Sequence, residues 1–332
     1  MKIINPSVEL ITINPEENIQ KHIERIGRTC YKSEENITDD SHKKFISNLY
    51  NRKHWAMLEH FIFIAEIKYL SMFYLLKNAQ LKYFDFTSHF DTKQERACHI
   101  ISFSARAILD AINEGIKNPD FDADALEALV AIKKQMILDY ECYELLGSTI
   151  GEGSEFIHTI YDITEYDDRN QYIHGWNSIK FICDRGVTHE IVRHRPASYA
   201  QESTRYCNYS KDKFGNEITV IKPLMFDPDN EEGSVERQKY NFWKEGIEAS
   251  EKAYIYLLDM GATAQEARSV LPNSLKTELV MTAKNYELCH FLGLRCDKAA
   301  HPQMRELAIP LFGLLAEQNG NVFNSDNVVF TE

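Results

Sequence analysis

Arginine is concentrated in one short stretch of this acidic chain. Residues 193–206 read RHRPASYAQESTRY and hold three arginines, one histidine and two serines. Guanidinium groups bind phosphate or a planar oxyanion through paired N–H donors, a geometry that lysine cannot supply. The whole chain carries 37 Lys+Arg against 50 Asp+Glu, so ordinary surface salt bridges are the alternative explanation of these arginines. The stretch therefore predicts an anion site or a set of surface ion pairs.

The overall composition excludes several classes of protein. A chain of 332 residues with 44% hydrophobic residues can bury a large core, which excludes disorder as the main state. The net charge of −13 argues against non-specific nucleic-acid binding, and the absence of an apolar run of transmembrane length argues against a membrane span. Without a recognisable signal peptide at the start, we expect a cytoplasmic protein. Seven scattered cysteines without a C-x-x-C pair predict reduced thiols and no metal site.

Two enzyme motifs are nearly present and fail on spacing. His189, Glu190 and His194 resemble the zinc-peptidase motif H-E-x-x-H, but the two histidines are five residues apart. Residues i and i+5 lie about 140° apart around a helix, whereas i and i+4 share one face. The glycines of residues 147–153 are not followed by Lys-Ser or Lys-Thr, so a P-loop is not predicted either.

The order of residues within 193–206 resembles the signature of the flavin-dependent thymidylate synthases, RHR-x-x-S-x-N-E-x-S-x-R-Y. Seven of its nine specified positions match, namely Arg193, His194, Arg195, Ser198, Ser203, Arg205 and Tyr206. Ala200 and Gln201 stand where the signature has Asn and Glu. Segments 28–33, 54–60 and 267–272 and the pair Leu294-Arg295 also resemble conserved segments of this family. Glu190 and residues 284–286 depart from the family pattern.

The resemblance implies an enzyme that makes dTMP from dUMP, with FAD, NADPH and 5,10-methylenetetrahydrofolate, and that assembles as a homotetramer. By matching position, FAD would be bound by Arg193, His194, Arg195, Gln201, Asn285, His290 and Glu59. The nucleotide dUMP would be bound by Glu190, Arg193, Ser203, Thr204, Arg205, Arg268 and Arg295, with Arg268 reaching the phosphate from another subunit. The residues expected to serve the reaction itself are Arg295, Ser203 and His54. Arg295 would stabilise charge that develops on the pyrimidine.

Several of these residues have an alternative explanation. His54 could instead lie at a helix C-terminus and interact with the helix dipole. His290 could be a packed helix residue, because four apolar residues share its helical face. Ser203 could in principle be a nucleophile, but no third residue that would orient a base is evident, so we expect a binding role. Glu190 and Gln201 could have exchanged places within one hydrogen-bond network. The alternative for the whole chain is a non-catalytic nucleotide- or flavin-binding assembly protein of the same fold.

The helices and strands that must position these residues can be predicted from the sequence pattern. They indicate an α+β or α/β fold, with a twisted sheet flanked by helices. Residues 1–67 and 177–332 are expected to form the family core, and residues 68–176 a mainly helical insertion with helix throughout 70–146. Apolar and β-branched runs predict strands at 8–13, 61–67 and 177–183. Capping residues and apolar spacing predict helices at 41–52 and 184–193, a long helix that ends at Gly261, and helices at 275–292 and 301–316.

Overall fold

The computed structural model describes residues 1–11, 18–147 and 152–331. Its helices are α1 (Ile19–Thr29), α2 (Ser41–Asn51), α3 (Leu70–Asn78), α4 (Ala105–Lys117), α5 (Ala123–Tyr140), α6 (Tyr143–Leu146), α7 (Asp168–His174), α8 (Arg185–Ile191), α9 (Val235–Asp259), α10 (Ala264–Ala267), α11 (Asn285–Arg295) and α12 (Pro302–Gln318). Its strands are β1 (Lys2–Ile4), β2 (Ser7–Ile11), β3 (Ile62–Ile67), β4 (Asp85–Asp91), β5 (Arg96–Ser104), β6 (Ile157–Thr159), β7 (Trp176–Asp184), β8 (Ser198–Gln201), β9 (Thr219–Ile221) and β10 (Lys276–Lys284).

The first four-stranded sheet has the order β2-β7-β10-β8, and every neighbouring pair is antiparallel. Its central strand β10 is buried along nearly its whole length. Leu279 and Met281 pack into a core with α11 and α12, while Val280 packs on the opposite face against Ile26 of α1. A strand covered on both faces loses the alternation of polar and apolar residues that marks a half-buried strand. The predicted helix over residues 275–292 is therefore wrong for residues 276–284, and helix α11 begins only at Asn285.

The second four-stranded sheet, with the order β4-β5-β3-β6, is also antiparallel throughout. Three of its strands lie within residues 68–176, so the prediction of helix throughout 70–146 is wrong at 85–91 and 96–104. The sequence of strand β5 shows little alternation of polar and apolar residues, because its second half, Ile100–Phe103, is buried on both faces. Helices α4 and α5 pack on this sheet through Ile108, Leu129 and Ile132. The α+β class is confirmed, with two such sheets instead of one.

Most of the remaining elements agree with the sequence expectations. Strands β2, β3 and β7 occupy the predicted positions, although residues 12 and 13 of the first predicted strand lie outside the described residues. Part of the segment 147–153 is likewise not described. The Asp122 side chain caps α5 and the Asp184 side chain caps α8, each by accepting a backbone N–H of the first turn. Helix α9 ends just before Gly261, whose φ of 92° suits a C′ glycine.

A short parallel pair, β1 with β9, completes the described sheets. Within the described ranges, no helix has the length and apolar character that crossing a bilayer requires.

Candidate functional site

The arginine-rich stretch forms a loop that leaves helix α8 and enters strand β8. Helix α8 ends at Ile191, so Arg193 and Arg195 lie beyond the helix and are exposed. The loop is held from inside by the Tyr199 hydroxyl, which lies 2.8 Å from the His194 carbonyl oxygen and 3.0 Å from that of Ile191. Strand β8 then pairs with β10 in the first sheet. The loop is therefore fixed at both ends while its guanidinium groups face outward.

Arg295, at the end of α11, contacts two residues of this loop region. Its Nε donates to His194 Nε2 at 2.8 Å, its Nη1 donates to Glu190 Oε2 at 2.8 Å, and its Nη2 donates to the Glu190 carbonyl oxygen at 3.1 Å. Burial, with the nearby Arg295 and His290 charges, lowers the pKa of His194 to about 4. The imidazole is therefore neutral, and because Nε2 accepts from Arg295, its proton is on Nδ1. Residues 105 positions apart are thus joined in one cluster.

A cleft of about 760 Å³ opens beside the loop, between the two four-stranded sheets. One wall comes from the loop and from the end of β10, and the other from β3, the turn before β4, and the first turn of α4. Its polar lining includes Glu59, Tyr83, Asp85, Arg106, Arg195, Ser198, Lys284, Tyr286 and Glu287. Its volume lies within the usual range for cofactor and small-molecule sites. The cleft can therefore hold a cofactor alongside the arginine loop.

Glu59 connects the two walls of this cleft. Its Oε2 accepts from Ser198 Oγ at 2.9 Å, and its Oε1 accepts from Arg106 Nη1 at 2.5 Å. Arg106 also donates through Nε to Asp110 at 3.1 Å, which leaves its Nη2 without a described partner. One carboxylate therefore holds a signature serine and an arginine of α4 at the same point of the cleft.

Lys284 closes the far end of the cleft with a buried ion pair. Lys284 is only 9% exposed at the end of a buried strand, and its ammonium group contacts the Asp85 carboxylate and both oxygens of Ser102. Burial lowers the pKa of Lys284, and the attraction of Asp85 opposes that effect. Because an unpaired buried ammonium is costly, the contact ties β10 to the second sheet.

A directed chain of hydrogen bonds continues from Lys284 into the second sheet. Ser102 Oγ lies 2.8 Å from His174 Nδ1, and His174 Nε2 lies 2.7 Å from Thr87 Oγ1, which donates to Asn170 at 3.0 Å. Burial lowers the pKa of His174, so the ring is neutral. Since the Thr87 hydroxyl proton is committed to Asn170, His174 must donate from Nε2 and accept at Nδ1. Every donor in this chain therefore points away from the cleft.

Three of the predicted nucleotide residues, Ser203, Thr204 and Arg205, follow strand β8. The Ser203 N–H donates to the Cys30 carbonyl oxygen at 3.0 Å, and Thr204 is buried. The Arg205 guanidinium lies 5.3 Å from the centroid of the exposed Tyr206 ring. Arg268 is exposed at the start of a short 3-10 turn, and no described contact joins it to the loop. Within this chain the structure brings Ser203, Thr204 and Arg205 together and leaves Arg268 apart.

The remaining predicted residues differ in how accessible they are. His54 is exposed beyond the end of α2, where its backbone N–H donates to the Leu49 carbonyl oxygen at 2.9 Å. His290 is exposed, so its alternative as a packed helix residue is wrong; its ring lies 6.2 Å from that of His194. Asn285 is 4% exposed and bonded to Asn177 and to the Gln171 carbonyl oxygen, so a cofactor would have to displace internal contacts to reach it.

Gln201 and Glu190 do not share a hydrogen-bond network. The Gln201 amide donates to Thr188 Oγ1 at 3.1 Å and to Thr277 Oγ1 at 3.4 Å, whereas Glu190 pairs with Arg295. The two side chains have separate described partners, so the suggested exchange within one network is wrong.

The arginines of the site can be tested against the salt-bridge alternative. Among the described residues, Arg193, Arg195, Arg205 and Arg268 have no carboxylate oxygen within salt-bridge distance. Arg28, Arg96 and Arg106, elsewhere in the chain, each pair with a glutamate. Arg52 and Arg169 are also exposed without a described carboxylate partner, so a missing partner does not by itself mark a site. What favours a site for an anionic ligand is the concentration of Arg193, Arg195 and Arg205 in one short segment.

Sequence reasoning missed the residues that the second sheet brings to the cleft. Tyr83, Asp85 and Arg106 lie in the segment to which no chemistry was assigned, and Asp85 is 199 positions from its partner Lys284. The only available signal was Lys284 itself, a charged residue that ends the apolar run LVMTA and therefore needs a partner. Nothing in the spacing identifies Asp85 as that partner.

One further cluster, His89, Asp91 and Asp167, has the composition of a metal site. Asp91 Oδ1 accepts the backbone N–H groups of Lys93 and Gln94, and its Oδ2 accepts those of Asp167 and of the Asn170 amide. Burial alone would favour the neutral acid, but these four donors outweigh it and lower the pKa of Asp91. Both oxygens are therefore already used within the protein, and the cluster is structural.

The fold and the site together define an α+β protein with an exposed arginine loop beside a cleft of cofactor size. The chain belongs to the Thy1 family, described as thymidylate synthase complementing protein, whose sequence model matches residues 9–146 and 174–318. This match runs through residues 68–146, which the sequence prediction had placed outside the family core.

Similar proteins carry the name flavin-dependent thymidylate synthase. That of Geobacter sulfurreducens is 35% identical over 133 residues, which are 40% of this chain and 52% of the relative. That of Pyrococcus abyssi is 33% identical over 136 residues, or 41% of this chain and 52% of the relative. The protein of Corynebacterium efficiens is 26% identical over 219 residues, which cover 63% and 83% of the two chains. The chain thus spans about half the length of the first two relatives.

Proposed function

We propose that this protein is a flavin-dependent thymidylate synthase that converts dUMP to dTMP. It would take the one-carbon unit from 5,10-methylenetetrahydrofolate and the electrons from NADPH through FAD. The observation that carries the proposal is the cluster of Arg295 with His194 and Glu190, which joins the predicted catalytic arginine to the signature loop. The names of the similar proteins support a flavin cofactor and a thymidylate synthase reaction.

The cleft fits a bound flavin dinucleotide. Its volume of about 760 Å³ suits a ligand of that size, and Arg195 contributes a guanidinium without a carboxylate partner. Glu59 and Arg195 line the cleft and would hold the cofactor. Arg193, His194, Gln201 and His290 do not line it, and their assignment to the cofactor rests on matching position. When bound, FAD would supply the hydride chemistry of the reaction. The protein's own contribution is then positioning and charge.

Arg295 is the residue that we assign to charge stabilisation. Its Nη1 and Nη2 are bonded to Glu190, and its Nε is bonded to a neutral His194, so the guanidinium plane is fixed before any ligand arrives. A donor held in place can stabilise negative charge that develops on the pyrimidine without reorganising during the reaction. Glu190 and His194 act in this proposal by orienting Arg295.

Ser203, Thr204 and Arg205 would bind dUMP. The Ser203 backbone is fixed by Cys30, and its Oγ lies 3.4 Å from the Arg205 N–H, so the hydroxyl caps a turn. No described histidine or carboxylate contacts this hydroxyl, which supports binding over nucleophilic attack. His54 is exposed, and its proposed place near the flavin or the folate path rests on matching position.

We also propose a homotetramer in which Arg268 acts on a neighbouring subunit. The exposed Arg268 has no described contact with Ser203 or Arg205 of its own chain. A phosphate contact from Arg268 would therefore need a second copy of the chain. We expect small-molecule partners only and a cytoplasmic location.

The test is release of tritium from dUMP labelled at C5, with FAD, NADPH and methylenetetrahydrofolate under low oxygen. Release that depends on FAD and is accompanied by dTMP is the expected result. Arg169→Gln is a matched control for Arg295→Gln, because Arg169 is exposed on α7 and does not line the cleft. Protein that binds FAD and dUMP without any release would instead support the non-catalytic assembly protein.

A further inference from the structure

Tyr83 is an aromatic residue whose position the fold itself does not explain. Its side chain is 74% exposed, and among the described residues it makes no hydrogen bond, ring contact or cation contact. Its backbone φ is 64°, in the left-handed region that disfavours a bulky residue. Exposure and backbone strain are both unfavourable for stability, and such residues persist where a ligand uses them.

The neighbours of Tyr83 hold it at the cleft. Phe84 is buried, and its ring stacks on that of Phe103 with centroids 4.6 Å apart. Asp85 is held by the ammonium group of Lys284. Two consecutive anchors therefore fix the turn that leads into β4, and the Tyr83 ring lines the cleft without being packed in the core.

The polar groups around Tyr83 suit the edge of an amino-substituted heterocycle. Asp85 uses only Oδ2 for its described partners, Lys284 and the Tyr286 hydroxyl, so Oδ1 is available as an acceptor. Glu287 lines the same end of the cleft, and burial raises its pKa. Arg195, without a carboxylate partner, lines the same cleft and suits a phosphate. A ring with an exocyclic amine joined to phosphates matches this set of groups.

We propose that Tyr83 stacks on the adenine ring of FAD, so that the segment before β4 supplies part of the cofactor site. The inference rests on the proposed function, since it names the group that one end of the flavin cleft recognises. The isoalloxazine ring offers only an imide N–H flanked by two carbonyl oxygens, which the carboxylates of Asp85 and Glu287 would repel. Adenine offers an exocyclic amine and no carbonyl group, which is why adenine is the ring assigned here. Residues 68–176 are then part of the site and more than surface decoration.

The experiment measures FAD and FMN affinity by flavin fluorescence in wild-type protein and in Tyr83→Ala. FMN lacks the adenine, so loss of adenine stacking must change the ratio of the two affinities. We expect Tyr83→Ala to weaken FAD binding about tenfold and to leave FMN binding within twofold. Tyr83→Phe should retain the affinity for FAD. Phe90→Ala is the matched control, because Phe90 is an exposed aromatic of β4 that does not line the cleft.

Tyr83→Gly separates a binding role from a structural one. Glycine adopts positive φ without strain, so this variant should melt at the same temperature as wild type or higher while it loses FAD affinity. An unchanged FAD affinity in Tyr83→Ala, or an equal loss for FAD and FMN, would overturn the adenine assignment. Wild-type protein that binds no flavin would contradict the proposed function itself.

Discussion

The signature loop and the second sheet use polar residues in opposite ways. Arg193 and Arg195 of the loop, and Arg205 after β8, are exposed and have no carboxylate partners among the described residues. In the second sheet, Asp91 accepts four N–H groups and His174 is bonded at both ring nitrogens. Buried polar groups must be satisfied inside the protein, whereas groups that bind a ligand must remain available. The polar groups of the second sheet therefore serve structure, whereas the arginines remain available to a ligand.

Two contacts link these regions across the cleft. Glu59 joins Arg106 to Ser198, and Asp85 joins the second sheet to Lys284. Variants in the loop should therefore lose function. Variants of the buried polar groups in the second sheet should lose stability, in contrast to variants of the exposed Tyr83.

The largest expected effect is on turnover, from Arg295→Gln. Removing a preorganised charge at the reacting centre should lower the rate of dTMP formation about 100-fold. The melting temperature should fall only by the amount that loss of its contacts to Glu190 and His194 accounts for, with the protein still folded at the assay temperature. The measurement is tritium release beside circular dichroism melting. Arg169→Gln should retain full activity. Equal activity of the two variants would remove Arg295 from the proposed site.

The next effect is on stability, from Asp85→Asn. This change leaves the buried Lys284 ammonium without its counterion, and it should lower the free energy of unfolding by about 2 kcal/mol, less than for a fully buried pair because Asp85 is partly exposed. Urea unfolding measures the loss. The double variant Asp85→Asn with Lys284→Met should be more stable than Asp85→Asn alone. An Asp85→Asn midpoint equal to that of wild type would mean that the pair is not needed.

A change of pH should alter the free energy of unfolding by a comparable amount through protonation of His60. The Nδ1 atom of His60 lies 2.8 Å from Thr282 Oγ1 of β10. Burial lowers the pKa of His60 from 6.5 to about 4, so the unfolded chain binds this proton more readily. The free energy of unfolding is therefore highest above pH 6.5, where His60 is neutral in both states. It falls as the pH falls towards 4, because only the unfolded chain takes up the proton. The contribution of this one group is about 2 kcal/mol between pH 7 and pH 5.

Urea unfolding at pH 7 and at pH 5 tests this dependence. Asp and Glu have unfolded pKa values below this window, so histidines account for most of the slope. The His60→Gln variant should lose about 2 kcal/mol of the difference between the two pH values. A slope identical to that of wild type would show that His60 is not the titrating group.

The smallest effect is expected from Ser203→Ala in the loop. If the hydroxyl only binds dUMP, KM for dUMP should rise about fivefold, as for the loss of one hydrogen bond, while kcat stays within twofold. Steady-state kinetics with dUMP as the varied substrate measures both constants. A collapse of kcat would instead favour a nucleophilic serine and would reverse the role assigned here.

The sequence was sufficient to predict those elements whose defining residues are neighbours in the chain. The capping side chains of Asp122 and Asp184 predicted the starts of α5 and α8, and the apolar runs predicted β3 and β7. The order of residues 193–206 was sufficient to predict the family, because signature residues are contiguous in the chain. These features depend on neighbours within a few positions.

Tertiary structure alone decided the identity of β10 and β5 and the second wall of the cleft. A strand buried on both faces has the same uniform apolar character as a buried helix, so its pattern in the sequence is ambiguous. Likewise, no local rule connects Lys284 to Asp85 or Arg106 to Glu59, because a buried charge requires a partner but does not specify where in the chain that partner lies. The sequence by itself determined the family and the residues that the signature segment carries, and the packing of the two sheets decided which other residues share the cleft with them.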